Sequence, residues 1–344
     1  TARIENKVEL FYRVCSTENL FLAWQKFRRG KRARADVMRY ERHREQNLFD
    51  VREELVNGSY RHGHYIPFIV HDPKRRQIHK ATVKDRVIHQ AVVNIIEPIF
   101  EKQFIYDSFS CRVDKGTHAA VTRLRTFLRQ ASINDTRTVY ALKCDVRKFF
   151  DSVDHGVLMQ LLRRRVSDHR LLSLIGEIIE SFSTQTGKGI PLGNLTSQLF
   201  ANIYLHELDR FIKHTIGAQW YVRYCDDFVI VNESRERLLA LVPAIEQFLH
   251  NTLALALHDG KSIVKSWGQG IDFLGYVLLP HCTILRKKTE HRIWKRIEVW
   301  EKDDYSIIKS YLGLLGHCDS FNTRRAVRRT TSYDECWKYG IMFP

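Results

Sequence analysis

The sequence feature that most constrains the fold is a pair of adjacent aspartates between two runs rich in aromatic and β-branched residues. The runs span residues 221–224 and 228–231, and Asp226 and Asp227 lie between them. Such runs favour strands, whereas Asp is depleted from strand interiors and favoured at turns. Successive side chains on a strand point to opposite faces, so two adjacent carboxylates meet one ligand only where the backbone turns. The pattern predicts a β-hairpin with carboxylates at its tip.

Adjacent carboxylates raise each other's pKa and cost stability when no cation lies between them. Because oxygen ligands suit Mg²⁺ and Mn²⁺, the hairpin tip is a candidate divalent-metal site. A surface hairpin with a solvated aspartate pair is an equally open alternative on these residues alone. A second acidic site, upstream in the sequence, favours the metal site over the solvated hairpin.

That second site is Asp145, which ends an apolar run over residues 139–145 and is followed by Phe149 and Phe150. A carboxylate at a strand end, followed by bulky residues, is suited to hold a metal beside a sugar. Asp145 lies far from the hairpin in sequence, so the fold must bring the carboxylates together. The segment 158–182 reads as helical, which gives the strand, helix and hairpin order expected of an α/β sheet.

The charge of the chain limits its partners. Its 344 residues contain 55 Lys and Arg against 39 Asp and Glu, a net charge of +16. Such an excess indicates a polyanionic partner, nucleic acid above all, with a membrane surface as the alternative. There is no run of about 18 apolar residues and no secretory leader, so we expect a cytoplasmic protein without a membrane partner. The seven scattered Cys lack any Cys-x-x-Cys spacing, which predicts reduced thiols rather than disulfides or zinc.

Two further segments have compositions typical of phosphate binding. Lys74, Arg76 and Arg86 surround a turn that precedes a helical run, where cations and free N–H groups can hold phosphates. Ordinary surface charge is the alternative for these residues. Residues 187–198 form a glycine-rich loop before a predicted helix over 199–213, and glycine permits close backbone approach. Residues 271–278 are predicted as one strand, in which Gly275 marks a bulge or a close contact.

In chain order, these motifs resemble the palm of reverse transcriptases. The residues that carry the resemblance are Asp145 with Phe149 and Phe150, the Gly193 loop, Tyr224, Cys225, Asp226, Asp227, Lys261, Phe273, Leu274, Gly275 and Tyr276. The basic segment 74–86 and the loop 111–118 resemble the fingers motifs. Residues 190–198, with their Ser-Gln ending, are most similar to the reverse transcriptases of diversity-generating retroelements, and residues 310–317 resemble the thumb of that subgroup.

The resemblance implies a role for each matched position. Asp145, Asp226, Asp227 and the Val146 carbonyl would bind two Mg²⁺ ions, with Mn²⁺ possible, and Lys261 would protonate pyrophosphate. The implied nucleotide-binding residues are Lys74, Arg76, Arg86, Phe149, Phe150, Leu192, Gly193 and Gln198. Phe150 matches the bulky position that excludes a ribose 2′-hydroxyl. The implied primer grip is Phe273, Leu274, Gly275 and Tyr276. The other implied nucleic-acid contacts are Arg112, Lys115, Arg286, Lys287, Lys288, Arg324 and Arg325.

The resemblance also implies an architecture, an α+β right-hand polymerase whose palm has an antiparallel sheet. A helical basic extension would span residues 1–59, the fingers 60–135, the palm 136–280 with part of the fingers interleaved, and a helical thumb 281–344. We expect no RNase H or HNH endonuclease domain.

The implied partners are a structured template RNA, a DNA or RNA primer, dNTPs and a small, basic, oligomeric accessory variability protein. In the resembled subgroup, copying is error-prone at adenines. A stand-alone reverse transcriptase of antiphage defence is the alternative, and a non-catalytic, maturase-like RNA-binding scaffold is a third hypothesis. An intact carboxylate triad argues against the scaffold, which has no chemical need for one.

Overall fold

The computed structural model describes residues 9–71, 74–298 and 305–330. Within them the helices are α1 (Glu9–Val14), α2 (Thr17–Arg28), α3 (Ala35–Arg42), α4 (Arg44–Asn57), α5 (Val83–Glu101), α6 (Thr117–Ala131), α7 (Phe149–Ser152), α8 (His155–Arg163), α9 (His169–Glu180), α10 (Leu195–Arg210), α11 (Arg235–Leu253), α12 (Lys287–Glu298), α13 (Tyr305–Leu315) and α14 (Phe321–Thr330). The strands are β1 (Ile66–Val70), β2 (Arg76–Lys80), β3 (Tyr140–Asp145), β4 (Trp220–Tyr224), β5 (Asp227–Asn232), β6 (Ile263–Ser266), β7 (Ile271–Phe273), β8 (Tyr276–Leu278) and β9 (Thr283–Leu285). A π-helical segment, Phe211–Thr215, continues α10.

The central sheet has the strand order β4-β5-β3-β6, and each neighbouring pair is antiparallel. The sequence order predicts an α/β arrangement here, and that expectation is wrong. The hairpin returns the chain through β5, and β5 rather than β4 pairs with β3, so the pairing is antiparallel.

Alternating side chains divide the central sheet between two apolar cores. Leu142 and Ile230 belong to one core and Ala141 and Val229 to the other. Helix α11 packs on β3 and β5, and its buried residues belong to the first core. Helix α6 packs on β4 and β5 and contributes to the second core. The period of two in the strands therefore fixes which helix covers which face.

Helix α5 joins the N-terminal helices to the palm. Thr82 caps its N-terminus by accepting a hydrogen bond from the Asp85 N–H at 3.2 Å. The helix packs against α2 on one side and α10 on the other. Burying each large apolar side chain at these contacts contributes about 1.5–3 kcal/mol. Helices α1 to α4 are thus packed against α5 rather than attached as a separate unit.

Two predicted elements are divided in the structure. The helix predicted over 158–182 is the pair α8 and α9, because Asp168 caps the start of α9 and its side chain accepts hydrogen bonds from the N–H groups of Arg170 and Leu171. The strand predicted over 271–278 is the hairpin β7 and β8. Its two connecting residues, Leu274 and Gly275, have φ values of 50° and 91°, as a type I′ turn requires. The glycine marks a turn rather than a bulge.

Helices α12, α13 and α14 extend the second core. Ile293, Ile308, Leu315 and Val327 are buried in it together with residues of β7, β8 and β9. Residues 1–8 of the predicted extension and 299–304 and 331–344 of the predicted thumb lie outside the part that the structure describes. The domain boundaries remain predictions. None of the described helices combines the length and the apolar character that crossing a bilayer requires.

Candidate active site

The three predicted carboxylates meet at one end of the central sheet. Asp145, the last residue of β3, lies opposite Asp227, the first residue of β5. Asp226 lies in the two-residue connection between β4 and β5. Primed hairpin turns need a positive φ at their first central residue, and Cys225 has a φ of 55° there. The predicted hairpin therefore forms with a non-glycine residue in a conformation that functional sites often hold under strain.

The carboxylates repel one another. The pKa of Asp226 is raised to about 6, first by burial and then by the charges of Asp145 and Asp227. Burial also raises the pKa of Asp227, although the nearby Lys143 acts in the opposite direction. A cation between these groups would favour their ionised forms. Positive charge at this position would therefore stabilise the site.

Two lysines supply part of that charge. Lys261 forms an ion pair with the Asp145 carboxylate. The Nζ atom of Lys143 lies 3.7 Å from Oδ1 of Asp227. Lys143 precedes Asp145 by two residues on β3, so both side chains leave the same face of the strand. The sequence predicted a role for Lys261 and missed Lys143, which this spacing could have identified.

The donor set fits a hard divalent cation in its chemistry, because carboxylates and a backbone carbonyl are all oxygen ligands. Val146 donates its N–H to the Asp226 carbonyl at 3.3 Å, and its own carbonyl accepts no backbone N–H from residues 9–71, 74–298 or 305–330. In that same part of the chain, no group of three His, Cys, Asp or Glu side chains is arranged to hold a metal by itself.

A basic cavity of about 1070 Å³ lies beside the loop that follows Asp145. The cations in its lining are Arg75, Arg76, Arg147, Lys148 and Lys188. Asp151 and Leu192 also line it. Lys74 does not line the cavity, but its charge acts on Asp227 and opposes the rise in its pKa. Of the five cations only Arg76 was predicted, although Arg147 and Lys148 directly follow a predicted metal ligand.

A second cavity, of about 280 Å³, contains three other predicted nucleotide-binding residues, Arg86, Gly193 and Gln198. The Arg86 guanidinium is engaged there. It donates to Oδ2 of Asp36 at 2.7 Å and lies 4.8 Å from the ring centre of Phe27. A contact from Arg86 to a triphosphate would require this pair to break.

Gly193 joins the glycine-rich loop to the fingers hairpin. Its φ is 100°, and a Cβ atom on it would lie 2.6 Å from Cγ2 of Ile78. The loop is held beside β2 by two hydrogen bonds, from the His79 N–H to the Leu192 carbonyl and from Asn194 Nδ2 to the His79 carbonyl. Glycine is therefore needed here for both its conformation and its small size.

The two phenylalanines after Asp145 have different environments. Phe149 is buried and packs edge to face on Tyr204. Phe150 is half-buried, with its ring against Phe149 and its carbonyl accepting the Ile190 N–H at 2.8 Å. The structure thus gives Phe149 a place in the core and leaves Phe150 as the residue able to reach a nucleotide.

The predicted primer grip is a packed hairpin. Phe273 and Tyr276 are buried, and the Tyr276 hydroxyl donates to the Leu314 carbonyl at 3.0 Å. Leu274 and Gly275 form the turn, and both are half-buried. Any contact with a primer would therefore come mainly from this turn.

The other predicted nucleic-acid contacts divide into engaged and exposed side chains. Arg112 is nearly buried, pairing with Glu101 and donating to the Ile105 and Ser108 carbonyls, so it stabilises the fold. Lys115 lies 3.3 Å from the ring centre of Tyr106. Arg286 pairs with Asp272. Of the contacts predicted for the thumb, Lys287, Lys288 and Arg325 are exposed and Arg324 is half-buried.

Comparison with known proteins identifies the family. The family model described as reverse transcriptase (RNA-dependent DNA polymerase) matches residues 71–278, more than half of the chain. The chain belongs to the reverse transcriptase family. The sequence prediction of an RNA-directed DNA polymerase is confirmed at the level of the family, and the subgroup stays a prediction.

Curated relatives of this reverse transcriptase include bacterial proteins. Protein YkfC of Escherichia coli (strain K12) is 27% identical in an alignment of 271 positions that covers 67% of this chain and 70% of that protein. Group II intron-encoded protein LtrA of Lactococcus lactis subsp. cremoris is 26% identical in an alignment of 271 positions that covers 59% of this chain and 44% of LtrA. The reverse transcriptase described here thus corresponds to less than half of LtrA.

Solved telomerases share its fold. Apo telomerase from Candida tropicalis, truncated from its C-terminal domain, superposes with a TM-score of 0.50 at 10% identity, over 71% of this chain and 60% of that one. Telomerase from Candida albicans, in complex with a fragment of telomeric RNA, gives a TM-score of 0.52 at 12% identity, over 79% and 55%. The right-hand polymerase fold is confirmed.

The two cavities predict different effects for two arginines of this reverse transcriptase. Arg76→Ala should raise the KM for dNTPs about 10- to 100-fold, the loss expected for one charge-assisted hydrogen bond to phosphate. Arg86→Ala should mainly lower the Tm, because it leaves Asp36 with one cation fewer. Steady-state kinetics and thermal unfolding of both variants test the assignment. Equal KM increases would show that Arg86 also reaches the triphosphate.

Gly193→Ala should reduce primer extension about tenfold or more, because a Cβ atom displaces Ile78 and the positive φ adds strain of about 1 kcal/mol or more. Gly187→Ala is the matched control, since Gly187 also has a positive φ, of 72°, but no atom lies within 4 Å of its Cβ position. Single-nucleotide incorporation measures both. A similar loss in the two variants would mean that backbone strain, rather than the contact with Ile78, is responsible.

Proposed function

We propose that this reverse transcriptase copies an RNA template into DNA by extending a DNA or RNA primer with dNTPs at Asp145, Asp226 and Asp227. One observation carries the proposal: Asp145 and Asp227 lie opposite each other at the end of the central sheet with Asp226 at the adjoining turn, and the loop after Asp145 lines a cavity rich in cations. Carboxylate oxygens suit hard divalent metal ions, and the arginine and lysine side chains of the cavity suit a triphosphate. Preorganised charge of this kind is the main requirement of phosphoryl transfer.

The chain's own residues would bind and orient the nucleotide. Arg75, Arg76, Lys148 and Lys188 line this cavity and would hold the triphosphate. Phe150, fixed by its contact with Phe149, would lie against the sugar and select dNTPs over rNTPs.

The carboxylates would hold two divalent cations, Mg²⁺ or Mn²⁺, with the Val146 carbonyl as a further ligand. When bound, such cations lower the pKa of a primer 3′-hydroxyl and neutralise charge on the leaving pyrophosphate. Lys261 is paired with Asp145, and its side chain is 44% exposed. Its ammonium would donate a proton to pyrophosphate once the pair opens.

Two observations support an RNA partner: the net charge of the chain and the RNA complex of a protein with the same fold. The net charge of +16 favours a polyanion. The Candida albicans telomerase of the same fold is in complex with telomeric RNA. The exposed lysines and arginines of the thumb would contact the backbone of the template and primer.

For the subgroup, we propose a diversity-generating retroelement, with a structured template RNA and a small, basic, oligomeric accessory protein. The support is the 190–198 segment, whose Leu192 lines the first cavity and whose Gln198 lines the second. The segment therefore passes between the nucleotide cavity and the neighbouring one, where it could influence base selection. Errors concentrated at template adenines are the expected consequence.

A second candidate function is that of an intron-maturase-like RNA scaffold. LtrA is a group II intron-encoded protein, and nuclear intron maturase 1 of Arabidopsis thaliana is 32% identical over 92 residues, 27% of this chain. A scaffold would bind RNA without extending a primer. The intact carboxylates favour the polymerase.

Sequencing of cDNA tests the subgroup. The purified protein copies a heteropolymeric RNA with Mg²⁺ and dNTPs, and the products are sequenced. Substitutions concentrated at template adenines support the retroelement. Product with evenly distributed errors would contradict it and favour a stand-alone defence enzyme.

A further inference from the structure

A buried arginine lies directly behind the catalytic hairpin. Arg223 is on β4, three residues before Asp226, and its side chain has no exposed surface. Arginine is almost never fully buried unless its charge is paired and its N–H groups are satisfied. The proposed reaction gives Arg223 no role. Its contacts therefore need an explanation beyond the chemistry already described.

Asp209 of α10 neutralises the guanidinium. Nε of Arg223 lies 2.7 Å from Oδ1 of Asp209, and Nη2 lies 2.7 Å from Oδ2, a bidentate pair. The Tyr221 hydroxyl donates to the same Oδ1 at 2.7 Å. Asp209 has no exposed surface either. The pair thus anchors β4 to α10 out of contact with water.

The remaining N–H groups reach toward the active site. Nη2 also donates to the Ser108 hydroxyl at 2.9 Å, and Nη1 lies 3.4 Å from Oδ1 of Asn202. Nη1 donates as well to the Cys225 carbonyl at 3.1 Å. The backbone of Arg223 is held too, because its N–H donates to the Asp107 carbonyl at 2.9 Å. All five donors of the guanidinium have partners.

The contact with Cys225 is the one with a consequence for catalysis. Cys225 has a φ of 55°, a value that is unfavourable for residues other than glycine. Its carbonyl belongs to the peptide bond that joins Cys225 to Asp226. A fixed peptide plane sets the direction in which the next side chain leaves the backbone. We infer that Arg223, oriented by Asp209, is a positioning residue that holds the Cys225 turn so that the Asp226 carboxylate faces the metal site. This inference rests on the proposed polymerase function.

Two variants remove the contact with the turn in different ways. Arg223→Lys keeps a positive charge for Asp209, but one ammonium cannot form the planar fork that reaches both the carboxylate and the Cys225 carbonyl. The double variant Arg223→Met with Asp209→Leu replaces the ion pair by apolar side chains, an exchange that buried pairs often tolerate in stability. Tyr221→Phe is the control, because it removes a hydrogen bond to Asp209 and leaves the contact between Arg223 and the Cys225 carbonyl unchanged.

The experiment measures primer extension against Mg²⁺ concentration, together with the Tm and the affinity for an RNA–DNA duplex. We expect both Arg223 variants to extend primers about 10- to 100-fold more slowly and to need several-fold more Mg²⁺ for half-maximal rate, the effect typical of residues that orient metal ligands. Duplex affinity should stay within about twofold of wild type, since phosphate contacts dominate it. Tyr221→Phe should lower the Tm and leave the Mg²⁺ requirement unchanged.

Folded Arg223 variants with a wild-type Mg²⁺ requirement would overturn the inference. So would failure of both to fold while Tyr221→Phe folds, because the pair would then be purely structural. Absence of extension by the wild type would overturn the proposed function, and the inference with it. Extension by the wild type with unchanged Arg223 variants would overturn the inference alone.

Discussion

Asp226→Asn is expected to reduce primer extension roughly 10³-fold or more while leaving the affinity for RNA nearly unchanged. The amide loses the negative charge that a divalent cation requires, at the turn beside the facing Asp145 and Asp227. RNA affinity should persist because lysine and arginine contacts with phosphate supply most of it. Single-turnover extension and filter binding measure the two quantities. Full-length product from Asp226→Asn would show that this hairpin is not the metal site.

The same substitution is expected to stabilise the metal-free protein at pH 7. The pKa of Asp226 is about 6 in the folded protein rather than 3.8, so between these values the folded state binds more protons than the unfolded state. Wild-type stability therefore rises as the pH falls through this window, and at pH 7 the ionised carboxylate is destabilising. The Asn variant should have a Tm about 2–4 °C higher in EDTA at pH 7, with the difference shrinking toward pH 4.

Asp50→Asn is the control for this stability effect, because Asp50 is an exposed carboxylate on α4 that accepts a hydrogen bond from Gln46. Its Tm should change little at either pH. A lower Tm for Asp226→Asn in EDTA at pH 7 would mean that the carboxylates do not repel one another as the structure indicates.

Phe150→Ala is expected to cut the preference for dNTPs over rNTPs about 10²-fold, with a smaller effect on dNTP incorporation. The ring packs edge to face on Phe149, and the Phe150 carbonyl accepts the Ile190 N–H, so both the side chain and the backbone of this residue have fixed partners. A small side chain would leave room for a 2′-hydroxyl. The ratio of kcat/KM for dGTP and rGTP on one template measures the change.

Phe149→Leu provides the comparison. Phe149 is buried against Tyr204, so this variant should lower the Tm by the loss expected for a core substitution and keep the sugar preference. An unchanged preference in Phe150→Ala would contradict the role given to that ring. A changed preference for dNTPs over rNTPs in Phe149→Leu would show that packing at this core position alters the nucleotide site.

The β4–β5 hairpin and the strand that ends at Asp145 could be predicted because their signals are local. Runs of aromatic and β-branched residues, two aspartates at a turn and a carboxylate at a strand end each follow from short-range backbone geometry. The pairing of β3 with β5 could not be predicted in this way, since it depends on contacts between distant segments. The hairpin turn at Leu274 and Gly275 was missed because a short apolar run containing one glycine fits either a bulge or a turn.

Side-chain partnerships across the fold were the least predictable part of the site. Arg86 and Arg112 had the charge expected of phosphate contacts, but Asp36 and Glu101 engage them in the structure. A net charge calculated from composition includes such arginines, although their charge is already neutralised within the protein. The burial of Arg223 has no sequence signal at all, because an arginine on a strand between aromatic residues is normally an exposed one.

The most direct test of the central claim is primer extension by the purified wild-type protein on a heteropolymeric RNA template, with dNTPs and with Mg²⁺ added or chelated by EDTA. We predict DNA product that depends on the template, requires the divalent cation and is absent with Asp226→Asn. A folded wild-type protein that binds the primed RNA tightly, yet gives no product with Mg²⁺ or Mn²⁺, would contradict the assignment of Asp145, Asp226 and Asp227 as a polymerase active site.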